Sequence, residues 1–117
     1  MKKYLLLLAP AIALAFGAAP ALASNTNGDY LRNMVTYNSG LVAFDQGSFR
    51  WDRLACQNST KPMGWVINTT TPTGQTQYAT LLSAYLAHKQ IWVAGTGNCE
   101  PSTGLEEVSY FTFIDPS

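Results

Sequence analysis

Histidine occurs once in this chain, at His88, and cysteine twice, at Cys56 and Cys99. A histidine and cysteine cluster around a metal therefore has nothing to be assembled from. A Ser-His-Asp grouping would have to use His88 at the end of a helix, where a basic side chain is more simply a partner for the helix dipole. Charge is scarce too: Lys, Arg, Asp and Glu make up 12% of the residues, seven basic against seven acidic. Nothing resembles the clustered Lys and Arg that follow a phosphate backbone, so nucleic acid is excluded as an expected partner. Neither GxGxxG nor a Walker loop occurs, and no cofactor is expected; Gly95 to Cys99, "GTGNC", reads as a turn that lets Cys99 reach its partner.

Long apolar runs are confined to the start of the chain. Lys2 and Lys3 precede an apolar stretch from Tyr4 to Phe16, and Ala21 and Ala23 stand three residues and one residue before a cleavage point. Pro10, Gly17 and Pro20 interrupt the stretch, which falls short of the roughly 20 residues that span a bilayer. Residues 1–23 are therefore expected to be a bacterial signal peptide, and 24–117 a single exported domain, periplasmic or secreted, with no membrane span once the leader is gone. Leader removal takes two lysines, leaving five basic against seven acidic residues and a net charge of −2. In an oxidising compartment the only two thiols, 43 positions apart, are expected to pair. Closing a loop of that size stabilises by about 4 kcal/mol in the chain-entropy model, a large share for so small a domain.

The mature chain alternates strand patterns with turn signals. Tyr30 to Tyr37 and Leu41 to Asp45 flank "NSG" and predict a hairpin, with Gly40 free to take positive φ. "GWVIN" predicts a third strand, and Pro62 keeps the preceding loop out of a sheet interior. A helix is expected from Gln75 to His88, with Tyr78, Leu81, Leu82, Tyr85 and Leu86 as its buried stripe and either Thr71 or Thr73 as its cap. "IWVAG" follows as a fourth strand and "EEVSYFTFI" as a last one, apolar enough on both faces to be largely covered. Three strands, a helix and two strands is the order of a mainly β, five-stranded OB-fold-like Greek-key barrel with one α-helix between strands 3 and 4. A five-stranded antiparallel sheet carrying a helix on one face gives the same string.

Candidate chemistry is thin, and a non-enzymatic role is expected. The carboxylate pairs Asp45/Asp52 and Glu106/Glu107 read as solvated surface, since adjacent glutamates on a strand point to opposite faces. The sequons at Asn58 and Asn68 carry little weight behind a bacterial leader. "SFRWDR", if extended, puts Phe49, Trp51 and Arg53 on one face and Arg50 with Asp52 on the other. An aromatic beside hydrogen-bonding charges suits a sugar or peptide site, while the plainer reading is a hairpin whose Trp51 covers the barrel above an Arg-Asp pair. The ligand contacts expected are Tyr37, Trp51, Arg53 and Trp92.

In strand order, leader and single helix, and through "TYNSG" (36–40) and "LLSAYLAHKQIWVAGTG" (81–97), the chain resembles the small exported OB-fold B subunits of the subtilase-cytotoxin and pertussis-like toxins. That resemblance implies a binding subunit that recognises cell-surface glycans as a ring of five, through a serine early in the first strand and a tyrosine near the end of the fourth. Tyr30 stands where that serine would be and Gly95 near the tyrosine, so the toxin pocket does not carry over, and the cysteine spacing differs. The expected partner is thus a glycan or another exported protein, with homo-oligomerisation as a further option.

Overall fold

The computed structural model describes residues 26, 28–48, 50 and 52–114; the expected signal peptide and Trp51 lie outside the described residues. The elements are β1 (Leu31–Thr36), β2 (Leu41–Gln46), β3 (Gly64–Asn68), α1 (Pro72–Leu86), β4 (Ile91–Glu100) and β5 (Leu105–Phe113). They form one five-stranded sheet in the order β1-β2-β3-β5-β4 with the helix between β3 and β4. The sheet is mixed rather than antiparallel throughout: β3 runs parallel to β5 through Trp65↔Glu106 and Val66↔Glu107. The sheet is not closed, and β1 and β4 are its two ends. Just before β1 the chain touches β4, where Asp29 and Ile91 form a single antiparallel bridge.

β1 and β2 form the expected hairpin, with Gly40 at φ 89° in its turn. The pairing slips between Arg32 and Val35, where Asn33 takes φ 52°. Asparagine tolerates that left-handed geometry better than most residues because its short side chain hydrogen-bonds locally, and Asn33 Nδ2 donates to Asp45 Oδ2 at 2.9 Å. β2 and β3 are buried on both faces. Val42, Phe44, Trp65 and Ile67 pack with Leu81 and Ala84 of the helix and with Ile91 and Val93, while Leu41, Ala43, Val66 and Leu105 form a separate cluster on the opposite face.

Thr71 is the helix cap: its side chain accepts from Gly74 N, with Pro72 opening the first turn. This starts the helix three residues before the expected Gln75, because the cap satisfies a backbone donor that would otherwise be orphaned. Gly74 is required by contact, since a Cβ there would lie 1.7 Å from Asn68 O. The buried stripe is narrower than expected. Leu81 and Ala84 are buried and Tyr78 packs against the core, but Tyr85 is 43% and Leu86 74% exposed. Past the C-cap Ala87, His88 adopts φ 51° and its N–H donates to Tyr85 O, while Lys89 N donates to Ala84 O. These two bonds are a Schellman closure with histidine where glycine is usual. The His88 ring stacks on Tyr30 with centroids 4.0 Å apart.

"GTGNC" is not a turn. β4 continues through it, with register shifts on either side of Gly95. β5 is also less covered than expected: Ala94 faces Tyr110 while Gly95 faces Val108, so Ser109 is an extra residue that switches the alternation. Val108 is buried and Phe111 packs on the core, whereas Tyr110 is left 60% exposed.

Candidate functional site

In the chain between β2 and β3, Thr60 to Met63 form one wall of a groove beside Ala43 and Leu105 of the second cluster, while Arg50, earlier in that chain, packs on Trp65 of the first. Among the described residues, four of this segment's fastenings bear on the groove. Cys56 and Cys99 form the expected disulfide, with Cα atoms 6.1 Å apart. Asn58 N donates to Gly104 O at 2.7 Å. The Gln57 side chain donates to the carbonyls of Pro62 and Gly64, each at 3.2 Å. The fourth fastening is Arg50, whose guanidinium is buried, ion-paired through Nη2 with Glu106 Oε1 and hydrogen-bonded through Nη1 to Gly64 O at 3.1 Å. It also lies over the Trp65 ring, 3.6 Å from the centroid. Burial pushes the guanidinium below its usual pKa, and the Glu106 carboxylate opposes that shift.

This network overturns two surface assignments. Glu106 is fully buried rather than solvated, and Arg50 points inward rather than forming a rim pair. The glycines of "GTG" are explained by it as well. A Cβ at Gly95 would fall 1.9 Å from Glu106 Oε2, and Gly97 N donates to that same oxygen at 3.0 Å. The alternation of adjacent glutamates held the signal. In a sheet covered on both faces, one of Glu106 and Glu107 has to face a packed layer and take a cation with it. The sequons have a structural role too: Asn58 Oδ1 accepts from Thr60 N and Oγ1, and Asn68 Oδ1 accepts in the same way from Thr70, so both are turn-forming caps.

The groove opposite this wall has two lobes. The first, about 270 Å³, lies between Asn33, Val35 and Asp45 of the hairpin and Thr60, Lys61 and Met63 of the wall. The second, about 370 Å³, is bordered by Tyr37, Ser39, Asn58, Ser102 and Thr103. Lys61 borders both. Among the described residues no carboxylate lies within ion-pair distance of its ammonium. The nearby acids are otherwise engaged. Asp45 accepts from Asn33, and Glu100 accepts from the Ser102 and Thr103 backbone and the Ser102 hydroxyl. Burial tends to raise the Glu100 carboxyl, but those hydrogen bonds outweigh it and hold the group below the usual carboxylate range.

Of the expected ligand contacts, Tyr37 stands in the groove, 38% exposed just past β1. Arg53 is exposed on the segment leading to Cys56, and Trp92 is 53% exposed on the outer side of β4, outside both lobes. Nothing local in the sequence marks Lys61 or Thr103, and Asn58 is marked there only as a sequon. They come together only where the wall meets the β4–β5 connection. Among the described residues no helix is long and apolar enough to cross a membrane, and no group of three or more His, Cys, Asp and Glu is placed to hold a metal. No protein-family model, curated protein or solved structure matches this chain.

Proposed function

We propose that this is an exported, non-enzymatic binding module whose ligand is a carbohydrate held in the two-lobed groove. The observation that carries the reading is the company Tyr37 keeps: an exposed aromatic beside Ser39, Asn58, Ser102 and Thr103 and the Lys61 ammonium, a ring face with hydrogen-bonding groups around it. Hydroxyl-rich ligands are met by such a combination, with the ring covering an apolar sugar face and the polar rim fixing orientation. The leader read at residues 1–23 and the disulfide both suit an oxidising, exported setting. The Asp29–Ile91 bridge supports reading the open sheet as an OB-type barrel with its seam at that point. Trp51 and Arg53 are proposed as further contacts, Arg53 being exposed.

Oxidised protein spanning residues 24–117 on a glycan array tests the reading. Selective binding that Tyr37→Ala removes, in a protein with unchanged near-ultraviolet circular dichroism, is the expected result; a blank array overturns it. A second reading, docking to another exported protein or to copies of this chain, draws on Trp92 and Tyr110, both more than half exposed on the outer side of β4 and β5. Light scattering on the same sample, beside its Trp92→Ala variant, separates the two: a ring that Trp92→Ala dissolves favours that second reading.

A further inference from the structure

We infer that the two lobes are consecutive subsites for the interior of a linear oligosaccharide, with Lys61 as the bridging contact between neighbouring sugar units. The inference rests on the carbohydrate reading and specifies its ligand class. The lobes follow one another along a single face of the hairpin. Asn33 and Val35 of β1 border the first lobe and Tyr37, two residues on, borders the second. On β2, Leu41 borders the second lobe and Ala43 and Asp45 the first. On β2, where the register is regular, the alternate residues Leu41, Ala43 and Asp45 share a face, so the floor is continuous there for about 13 Å at the usual rise per residue. A single sugar unit would leave one lobe empty, whereas a chain lying along the floor fills both.

Lys61 is placed to serve both units. It comes from the opposite wall, borders both lobes and has no carboxylate partner among the described residues, so its ammonium is available to hydroxyl and ring oxygens on either side. The remaining borders divide the work. Asn33 and Asp45, already bonded to each other, offer the first unit an amide donor and a carboxylate acceptor held in place, and Tyr37 offers the second a ring face. Both lobes are open clefts, which suits the passage of a chain rather than the capture of its end.

Isothermal titration of the oxidised protein with chito-oligosaccharide and cello-oligosaccharide ladders of one to six units tests this. The expected result is negligible affinity for the monosaccharide, a gain of tenfold or more on reaching two or three units in at least one ladder, and a plateau once both lobes are filled. Lys61→Met should remove most of that gain, and Asn33→Ala should weaken the longer members more than the shorter. Lys61 is exposed and bonds through its backbone alone, so the variant is expected to fold, which circular dichroism checks. Equal affinity for monomer and oligomer, a gain unaffected by Lys61→Met, or binding of neither ladder overturns the inference. If the array shows selective binding while length has no effect, the carbohydrate reading stands and only the inference falls; a blank array removes both.

Discussion

Arg50 shows how a single residue can decide the shape of a surface. Its guanidinium is stripped of water and is held by Glu106, the Gly64 carbonyl and the face of Trp65. A buried pair of this kind contributes little net stability over an apolar pair of the same shape, but removing one partner leaves the other charge buried and is strongly destabilising. Arg50→Met is therefore expected to lower unfolding stability by about 3–5 kcal/mol, read from denaturant midpoints, and Arg50→Met/Glu106→Met to recover part of it. Recovery is incomplete because Gly97 N would lose its acceptor. If the single variant costs less than 1 kcal/mol, the ion pair is not the anchor described above.

Two elements carry predictions of their own. The helix begins where Thr71 accepts the Gly74 N–H, and Thr71→Ala is expected to cost about 1 kcal/mol in thermal or denaturant unfolding. The β4–β5 connection depends on an ionised Glu100. Its carboxyl is held below its ordinary range when folded, so ionisation favours the folded loop above the unfolded-state pKa, and that contribution is lost as pH falls through the depressed folded value. Exchange of the Ser102 and Thr103 amides, which donate to that carboxylate, should therefore be slow at neutral pH and accelerate relative to the intrinsic rate as pH falls below the usual carboxylate range. In Glu100→Gln this pH dependence should vanish. At the helix exit, His88 accepts a left-handed geometry that costs a non-glycine residue about 1–2 kcal/mol, and its stack on Tyr30 offsets part of that.

For the whole molecule the disulfide is the largest single constraint. It ties the chain between β2 and β3 to β4, closing 43 positions of chain that include β3 and the helix. Cys56→Ala/Cys99→Ala is expected to lose about 4 kcal/mol of stability, measured against the oxidised parent by urea unfolding. A loss below 1 kcal/mol would mean that Arg50, Gln57 and the Asn58–Gly104 bond hold the wall by themselves. The wall also carries Lys61, so the same variant is expected to bind carbohydrate more weakly than the parent even where it remains folded.

What the sequence by itself determined is the string of elements, the disulfide and the hairpin turn. Each is written in neighbouring residues: period-two and helical spacing, "NSG", a threonine cap that the sequence left between Thr71 and Thr73, and two cysteines with no other partner. Tyr37 is among the contacts expected from the sequence, and it borders the second lobe. What only the tertiary structure decided is which residues meet across distance. The parallel β3–β5 pairing, the burial of Arg50 against Glu106, 56 positions away, and the meeting of Lys61 with Asn33 and Thr103 in one groove leave no local trace. The same holds for β4 running through Gly95 and Gly97. Read locally, those glycines are turn residues, but here they make room for a carboxylate from the neighbouring strand. Spacing along a chain records which face a side chain takes, and packing alone determines what that face meets.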